Sequence, residues 1–294
     1  MRWLLTGVVI LGGLLLSMTA DSPEERRPVE KAGYTVLAID FHVHSFPGDG
    51  VLPPWDIAVE ARRRRLVAVA LTNHNSNLSW RLAQRLSGIV PHGAMLIPGV
   101  ELTSKGYHLA VIGVTTPIEW RQPAASAAVA AHAAGGVAIA AHPSKRTWPS
   151  FDDAALAALD GVEVAHPIVH IWDASRRELA AFYPRALRVH PSIAAIGSTD
   201  FHHLAPLGLS RTYVFARPAT QAGILDAVRA GRTVACDGLG EAHGPPELVA
   251  MTREDCRHDA TAPPLGETPV TRAGTWLVWI GLVALVVLGA NDTR

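Results

Sequence analysis

The feature that most constrains the fold is an alternation of short apolar runs with longer helical segments between residues 36 and 231. The apolar runs have the length of buried strands and lie at 36–39, 67–71, 95–100, 109–114, 137–140, 162–164 and 193–196. Segments of helical character lie at 55–65, 78–86, 124–134, 174–182 and 221–231. This alternation predicts parallel strands joined by crossover helices, in a sheet covered on both faces. We therefore predict an α/β fold with a barrel or a related closed sheet.

Two uncharged runs of 18 residues lie near the ends of the chain, at 3–20 and 273–290. A helix needs roughly 20 apolar residues to cross the hydrocarbon layer, so both runs can span a membrane if their flanks fit closely. The first run could instead be a cleaved signal peptide, but Met18 is bulky where a cut after Ala20 requires a small residue. The second could be a buried core helix, but Trp276 and Trp279 resemble an interfacial aromatic belt. We predict a transmembrane helix at each end.

These runs divide the chain into segments. We predict a signal anchor at 1–20, a tether at 21–35, the α/β domain at 36–237, an extension and linker at 238–272, a second membrane helix at 273–290 and a tail at 291–294. If Arg2 and Arg294 both stay in the cytoplasm, the α/β domain faces the periplasmic or extracellular side of the plasma (inner) membrane. Cys236 and Cys256 would then lie in an oxidising compartment, where they either form a disulfide or remain two isolated thiols.

The balance of charge excludes one class of partner. The chain has 26 basic and 26 acidic residues, so its formal net charge is zero. Binding a polyanion along its length requires an excess of positive charge, and nucleic acid is therefore not expected as a partner. The basic run at 62–65 fits the C-terminal end of a helix, where cations are favourable. The expected partners are a small anionic molecule and, through the two terminal helices, the membrane.

Side chains that bind metals follow or begin nearly every predicted strand. They are six histidines, two aspartates and one glutamate, namely His42, His44, Asp49, His74, Glu101, His108, His142, Asp200 and His202. Most of them follow the carboxyl end of a strand, where parallel barrels build their active sites. Imidazole suits zinc, iron and manganese, and carboxylates neutralise and bridge such ions. The sequence therefore predicts a centre that holds two or three divalent ions (Mn, Fe or Zn).

The order of these residues resembles that of a known family, the PHP (polymerase and histidinol phosphatase) metallohydrolases. The resemblance extends from about residue 36 to about residue 235 and rests on an ordered set of motifs: His-x-His at His42, Gly-Asp-Gly at Asp49, Thr-x-His-Asn at His74, Gly-Val-Glu at Glu101, a histidine seven residues later, Ala-His-Pro at His142 and Asp-x-His at Asp200. It implies a distorted (β/α)7 barrel with a trinuclear metal centre at its mouth.

The resemblance also implies three ligand sets. One ion would bind His42, His44, Glu101 and Asp200, a second Glu101, His108 and His142, and a third Asp49, His74 and His202. The sequence departs from the family at Asn73, where aspartate is usual before the histidine. Because this position is not one of the nine ligands, we expect weaker orientation of His74 and not loss of the ion.

Four further residues are candidates for contact with the substrate. Lys145 and Arg211 lie on predicted loops at the end of the sheet that carries the ligands, and each could bind a phosphate group. His203, next to a predicted ligand, could act as a general acid. His166 follows the predicted strand at 162–164 and could line the pocket.

The expected reaction is hydrolysis, because a water that bridges two ions becomes a hydroxide at neutral pH. A phosphoesterase that acts on a small phosphate ester or a nucleotide is the first hypothesis. The same hydroxide could attack a carbonyl group, so an amide, carbamate or carboxyl-ester hydrolase is the alternative. A non-catalytic binding domain tethered to the membrane is a third hypothesis, and the complete set of ligands argues against it.

Overall fold

The alternation of strands and helices extends further along the chain than the sequence predicts. The computed structural model describes residues 2–20, 28–87, 93–167, 175–203, 205–262, 265 and 269–292. Its strands are β1 (Val29–Lys31), β2 (Tyr34–Val43), β3 (Ala68–Leu71), β4 (Met95–Thr103), β5 (His108–Ile112), β6 (Val137–Ala140), β7 (Gly161–Ala165), β8 (Ala194–Gly197), β9 (Arg211–Ala216), β10 (Thr233–Cys236) and β11 (Ala242–His243). Its helices are α1 (Arg2–Ala20), α2 (Pro54–Arg63), α3 (Leu78–Leu86), α4 (Ala124–Ala133), α5 (Asp153–Ala158), α6 (Arg176–Val189), α7 (Gln221–Arg229), α8 (Pro246–Thr261) and α9 (Pro269–Asp292).

Most strands of the sheet run in one direction. The pairs β2–β3, β3–β4, β6–β7 and β7–β8 are parallel. Strand β5 is reversed between β4 and β6, and β9 is reversed between β10 and β2. Within the described residues the forward strands are β2, β3, β4, β6, β7, β8 and β10, and one helix from α2 to α8 follows each of them along the chain. The expected distorted barrel of seven strand–helix units is confirmed.

The prediction of parallel pairing throughout is wrong for β5 and β9. Strand β5 follows β4 after residues 104–107 only. A parallel crossover needs a dozen or more residues, so a connection of this length forces an antiparallel hairpin. Strand β9 is not among the predicted strands, and it returns antiparallel to β2 from the loop that follows β8.

Side-chain hydroxyl groups help to close the sheet between β8 and the strands at its other end. Thr212 Oγ1 on β9 accepts a hydrogen bond from the amide of Gly197 at 2.9 Å and donates one to the carbonyl of the same residue at 2.8 Å. Thr233 on β10 donates to the carbonyl of Ala195 at 2.9 Å. A side chain at position 197 would place its Cβ 2.4 Å from the carbonyl oxygen of Arg211, so the close approach of the two strands requires glycine there.

A register shift in β2 turns its two histidines toward the inside of the barrel. Phe41 packs in the cluster that the strands share with α7, whereas Val43 packs in a second cluster with α2 and α8. Strict alternation would place these two side chains on the same face of the sheet. The pairing with β3 shifts between Asp40 and Val43. A bulge of this kind adds one residue to the strand, so the side chains after it face the opposite side of the sheet from the one that strict alternation gives. As a result, His42 and His44 point to the inner face.

The extension after residue 237 is more ordered than expected. Residues 238–261 include β11 and the 16-residue helix α8. A disulfide joins Cys236 at the end of β10 to Cys256 on α8, which resolves the two alternatives left open by the sequence. The helix begins at Pro246, because proline is favourable in the first turn. Any linker therefore begins after α8, and not at residue 238.

The terminal helices α1 and α9 belong to a separate unit of the structure, which comprises residues 1–24 and 264–294. Within this unit, a Cβ at Gly13 would lie 2.7 Å from the carbonyl oxygen of Gly274, and one at Gly281 would lie 2.4 Å from Ile10. The two helices therefore pack closely at their glycines.

Among the described residues, one apolar stretch is long enough to span a membrane, Arg272–Gly289 on α9. The apolar stretch described for α1, Arg2–Leu16, is shorter, so the expectation of two spanning helices is supported at the C-terminal end only. Residues 21–27 of the expected tether and 293–294 of the expected tail lie outside the described residues. The end of the tether does not stay free, because β1 pairs with β2.

Candidate metal centre

The inner group of ligands comprises His42, His44, Glu101 and Asp200. His42 Nε2 lies 3.1 Å from His44 Nε2, 3.4 Å from Glu101 Oε2 and 3.2 Å from Asp200 Oδ1. His44 Nε2 lies 3.3 Å from the same glutamate oxygen and 3.0 Å from the same aspartate oxygen. Four atoms from three strand ends therefore converge on one point.

These distances fit a bound transition-metal ion. Ligands about 2.0–2.1 Å from an ion, at octahedral to tetrahedral angles, lie roughly 2.9–3.4 Å from one another. Glu101 Oε2 and Asp200 Oδ1 are buried and, within the described part of the chain, lie against imidazole nitrogens without a well-aligned hydrogen bond. Buried carboxylate oxygens normally have a partner, and a cation at the point of convergence would provide one. The donor set of the inner group therefore suits Zn, Fe or Mn.

A second group consists of Glu101, His108 and His142. Glu101 Oε1 lies 2.7 Å from His108 Nδ1 and 3.3 Å from His142 Nε2. The two oxygens of this carboxylate therefore face different groups, as a ligand that bridges two ions must do.

The outer group is formed by Asp49, His74 and His202 together with His44. Asp49 Oδ2 lies 3.2 Å from His74 Nε2 and 3.1 Å from His202 Nε2, and its Oδ1 lies 2.9 Å from His44 Nδ1. Its side chains are more open to solvent, with 42% of Asp49 and 37% of His74 exposed. The structure thus brings together all nine residues that the resemblance names, in the three sets it implies, with His44 shared by two of them.

Two of the ligands have a backbone conformation that side chains rarely adopt. The φ angle is +29° at His142 and +48° at Asp200. A non-glycine residue in this region costs about 1–3 kcal/mol, and such residues cluster at functional sites. Backbone hydrogen bonds between the end of β2 and Phe201, from His44 N to Phe201 O at 2.9 Å and from Phe201 N to His42 O at 3.3 Å, hold the turn that carries Asp200.

Without bound ions, the inner group is a network of charged pairs. Burial disfavours charge on His44, yet the close contacts with the carboxylates of Asp200 and Asp49 raise the pKa of this imidazole to about 10. Burial also opposes charge on His42, but the negative charges of Asp200 and Glu101 hold its pKa well above the ordinary value. Burial alone would raise the pKa of both of these carboxylates, and the histidines instead hold it well below the usual range. Binding of an ion must therefore displace protons from the imidazoles.

Two buried carboxylates that support the site are absent from the sequence prediction. Glu163 lies on β7 with its Oε1 2.9 Å from His42 Nδ1. Asp40 lies on β2 and accepts hydrogen bonds from the amides of Thr199 and Gly208, at 3.1 and 3.2 Å, in the loop that carries Asp200. Burial raises the pKa of Asp40 to about 6, against the effect of these donors. The signal in the sequence was a single acidic residue inside an otherwise apolar strand, since a buried carboxylate requires partners.

Asn73 has a different role from the one expected. It makes no described contact with His74, whose Nδ1 lies 2.6 Å from Thr103 Oγ1 and 2.7 Å from a carboxylate oxygen of Glu101. Its Nδ2 donates to the carbonyl of Ser45 at 2.6 Å and to that of residue 47 at 3.1 Å, and its Oδ1 accepts from the amide of Ser45 at 3.0 Å. The described contacts of Asn73 therefore hold the loop that leads to Asp49, and the weaker orientation of His74 stays a prediction.

The four candidates for substrate contact have different environments. His166 is buried and its Nε2 lies 3.7 Å from Asp200 Oδ2, so it lies at the inner group. Lys145 and His203 are exposed on the loops after β6 and β8, and the described contacts of the three ligand groups include neither of them.

Arg211 does not fit the expectation that it binds a phosphate. Its guanidinium group is buried, with Nη1 2.9 Å from Asp259 Oδ2 on α8 and 3.0 Å from the carbonyl of Arg64. Its Nε donates to the carbonyl of Gly208 at 2.7 Å. A buried charge is stable only when it is paired, and these contacts give Arg211 a structural role between the sheet and α8.

A further cluster of residues of metal-binding types follows β10, but its aspartate has partners within the protein, unlike the carboxylate oxygens of the inner group. It consists of Asp237, Glu241 and His243. Asp237 Oδ1 accepts hydrogen bonds from the amides of Leu239 and Glu241, each at 2.8 Å, and its Oδ2 lies 3.4 Å from an amino group of Arg176. The turn and the arginine therefore account for this carboxylate, so the same residue types here have a structural explanation.

Comparison with known proteins finds solved structures that are similar to this chain. No protein-family model matches the sequence, and no curated protein matches it. A two-domain protein from Bacteroides vulgatus ATCC 8482, which contains a predicted PHP-like metal-dependent phosphoesterase, is similar in structure, with a TM-score of 0.63 and 25% sequence identity over 80% of this chain and 74% of that one. PsfC from Pseudomonas syringae PB-5123 matches more distantly, with a TM-score of 0.48 and 16% identity over 76% of this chain and 98% of that one.

Three observations now agree. The forward strands form seven strand–helix units, the nine expected ligands meet at the carboxyl ends of those strands, and the B. vulgatus protein shares the fold over most of both chains. The chain is therefore similar, in its fold and in its set of candidate metal ligands, to the PHP-like metal-dependent phosphoesterases.

Proposed function

We propose that the protein is a metal-dependent phosphoesterase that hydrolyses a small phosphate ester or a nucleotide. A metal-dependent hydrolase is the reaction class that the ligand groups and the family support. The observation that carries the proposal is the sharing of Glu101 between the inner and second groups and of His44 between the inner and outer groups. Shared ligands hold neighbouring ions close together, as catalysis on phosphate esters by paired ions requires.

The bound ions and the residues of the chain would have different roles in the reaction. Bound ions supply Lewis acidity and lower the pKa of a water molecule, so that it can act as a nucleophile at neutral pH. Glu101, fully buried, provides two oxygens with fixed directions. His166 lies within 3.7 Å of Asp200 and faces the same space, where it can donate a hydrogen bond to a substrate oxygen or to the leaving group.

Charge favours an anionic substrate. The three ligand groups contain three carboxylates, Asp49, Glu101 and Asp200, and six histidines that are neutral when they bind metal. Two divalent ions would leave the site with one net positive charge and three ions would leave it with three, before the supporting carboxylates are counted. A phosphate ester carries the complementary charge, whereas a carboxyl ester or an amide carries none at the reacting group. Lys145, exposed on the loop after β6, adds a mobile cation near this end of the barrel.

We further propose that the enzyme is anchored to the membrane with its barrel outside the cytoplasm. The helix α9 contains an apolar stretch of 18 residues that is long enough to span a membrane. The disulfide between Cys236 and Cys256 supports the location of the barrel, because structural disulfides form and persist in oxidising compartments. Cysteine labelling of intact cells, with a cysteine placed at an exposed barrel position, would test the side of the membrane.

The proposal is tested by metal analysis combined with a substrate panel. Full-length protein purified without chelator is measured for Mn, Fe and Zn, and is then assayed on an aryl phosphate, a bis-aryl phosphate, a nucleotide and an aryl carboxyl ester. Asp200→Ala should lose both metal and turnover. His258→Ala, on the exposed side of α8, is the matched control and should lose neither.

Two outcomes would contradict the proposal. Turnover of the carboxyl ester without turnover of any phosphate would favour an amide, carbamate or carboxyl-ester hydrolase. If the wild-type protein contained no bound metal and showed no turnover after metals were added, the result would favour a binding domain without catalysis.

A further inference from the structure

Glu163 is a buried carboxylate outside the three ligand groups. It contacts residues at or just after the ends of three strands. It lies in the middle of β7, and its exposed fraction is 1%. Its Oε1 lies 2.9 Å from His42 Nδ1 and accepts a hydrogen bond from the hydroxyl of Ser198, and its Oε2 accepts one from the amide of His142 at 2.6 Å. The contacts therefore reach the ends of β2, β6 and β8, each of which carries metal ligands.

The contact with His42 determines which nitrogen can bind metal. An ionised carboxylate only accepts hydrogen bonds, and a neutral imidazole carries one N–H. A proton on Nδ1 is therefore favoured by Glu163, and it leaves a lone pair on Nε2. That nitrogen is the one that faces Glu101 and Asp200 in the inner group.

The contact with His142 fixes a backbone that would otherwise relax. His142 has a φ of +29°, and its amide donates to Glu163 at 2.6 Å. This bond holds the second residue after β6 in a conformation that lets the imidazole reach Glu101. Ser198, two residues before Asp200, is held by the same carboxylate.

We propose that Glu163 is the positioning residue of the metal centre, and that it sets the tautomer of His42 and the placement of His142. The inference rests on the proposed metal-dependent function but does not depend on the substrate. Glutamine has the same shape as glutamate but presents N–H groups on one side. Glu163→Gln must therefore either lose the hydrogen bond from the amide of His142 or present its N–H groups to His42 Nδ1 and Ser198, which reverses the tautomer of His42. The centre should then bind metal less tightly.

The experiment measures metal binding by full-length protein that has been stripped with a chelator. Zn²⁺ is titrated in competition with a chromophoric chelator into wild type, Glu163→Gln and Asp160→Asn. Asp160 is the matched control, because it is also a buried carboxylate next to β7 and accepts hydrogen bonds from the amide of Ala138 at 2.8 Å and from His132 at 2.7 Å. We expect Glu163→Gln to weaken the tightest site about 10- to 100-fold, while Asp160→Asn leaves it unchanged.

A spectroscopic measurement separates positioning from general stability. In zinc-loaded protein, ¹⁵N chemical shifts of His42 should show Nδ1 protonated in wild type and a mixture of tautomers in Glu163→Gln. Ser198→Ala removes one donor only and should give a smaller loss of affinity in the same direction, which keeps the test open if the glutamine variant does not fold.

The outcomes are distinct. Wild-type zinc affinity and an unchanged His42 tautomer in Glu163→Gln would overturn the inference, as would an equal loss in Asp160→Asn. Weaker zinc binding in Glu163→Gln, in a protein whose wild type hydrolyses no phosphate ester, would support the inference and contradict the proposed phosphoesterase.

Discussion

The inner and outer groups are built from the same residue types but in different surroundings. In the inner group, His42, His44 and Glu101 are fully buried, and Asp200 is 19% exposed. In the outer group, 23–42% of each side chain other than His44 is exposed. In the inner group, His42 and Glu101 lie on strands and the buried carboxylate of Glu163 supports His42, whereas Asp49 and His202 in the outer group lie on loops. Burial and support, and not ligand identity, distinguish the two groups.

This difference should appear in how the groups bind metal. A ligand fixed by its neighbours loses little freedom when an ion binds, whereas a ligand on an exposed loop must be ordered by the ion itself. We therefore expect the inner ion to remain through purification and the outer ion to exchange with the buffer. The following variants test this expectation.

The largest effect is expected for His44→Ala, because His44 is a member of both groups. Both the inner and the outer ion lose a ligand, so activity should fall by roughly a thousandfold or more as the centre disassembles. Plasma mass spectrometry for metal content and kcat/KM on the best substrate of the panel measure the result. If His44→Ala retained its inner ion, the shared role of this residue would be wrong. His258→Ala serves as the control.

A smaller effect is expected for Asp49→Ala, which removes a ligand from the outer group alone. The protein should keep the ions of the inner and second groups and lose only the exchangeable one, with a fall in kcat/KM of about 10- to 100-fold. Equilibrium dialysis against increasing metal should restore part of the activity. Asp153→Ala, at an exposed position in the first turn of α5, is the control. Loss of every ion would show that the two groups are not independent.

The stability of the metal-free protein should depend on pH in a direction set by the inner group. The pKa of His44 is raised to about 10, so its contribution is complete below the ordinary pKa of 6.5 and is lost as the pH rises through about 10. The pKa of Glu163 is lowered to about 2, so its contribution is present above the ordinary 4.5 and is lost as the pH falls toward about 2.

Denaturant titration of chelated protein should therefore show higher stability near pH 6 than near pH 10. Saturating metal should remove the alkaline loss, because the imidazoles are then neutral ligands at both values. Equal alkaline loss with and without metal would indicate that the inner imidazoles do not bind the ion.

A local effect on the outer group is expected for Asn73→Asp. The carboxylate would face the carbonyl oxygens of residues 45 and 47 in place of the donor that now binds them. The loop that leads to Asp49 should loosen, and the affinity of the outer ion should fall by about threefold to tenfold while that of the inner ion is unchanged. Asn77→Asp, which removes a donor to the carbonyl of Thr115, is the control. An unchanged outer ion would show that the loop is held by other contacts.

The smallest effect on the centre is expected for the double substitution Cys236→Ser and Cys256→Ser. A cross-link over a separation of 20 residues contributes about 3 kcal/mol to stability. The double variant should unfold at a lower temperature but bind metal in both groups like wild type. Calorimetry and metal titration check the two statements separately. A change in metal affinity would mean that α8 influences the centre.

The sequence was sufficient to predict which metal-binding side chains meet, because each one depends on local order along the chain. His74 follows β3, His142 follows β6 and Asp200 follows β8, so a ligand at a strand end could be identified without knowledge of the packing. Their meeting at one end of the barrel follows from the common direction of the strands. The seven-unit barrel was accessible from the resemblance, whereas the reversed strand β5 could have been inferred from its short connection to β4.

Features that depend on distant partners could not be predicted. Arg211 binds Asp259, which lies 48 residues further along the chain on a helix that the sequence did not predict. Glu163 contacts His42 across 121 residues, and nothing near either position indicates the pair. The role of Asn73 depends on the fold of the loop after β2, 28 residues earlier. Support of a site is a property of packing, while the ligands themselves can be identified from local pattern.

The cross-link between α8 and β10 has a mechanical consequence for the barrel. The helix α9 follows α8 along the chain, so any pull on the C-terminal helix reaches the barrel through the end of α8. Side-chain packing alone would let a loaded helix peel away from one end. Cys256 transfers the load to a strand inside the sheet through a covalent bond. A load applied at the C-terminal end of α8 therefore reaches the sheet at β10 through the disulfide and does not depend on the packing of α8 alone.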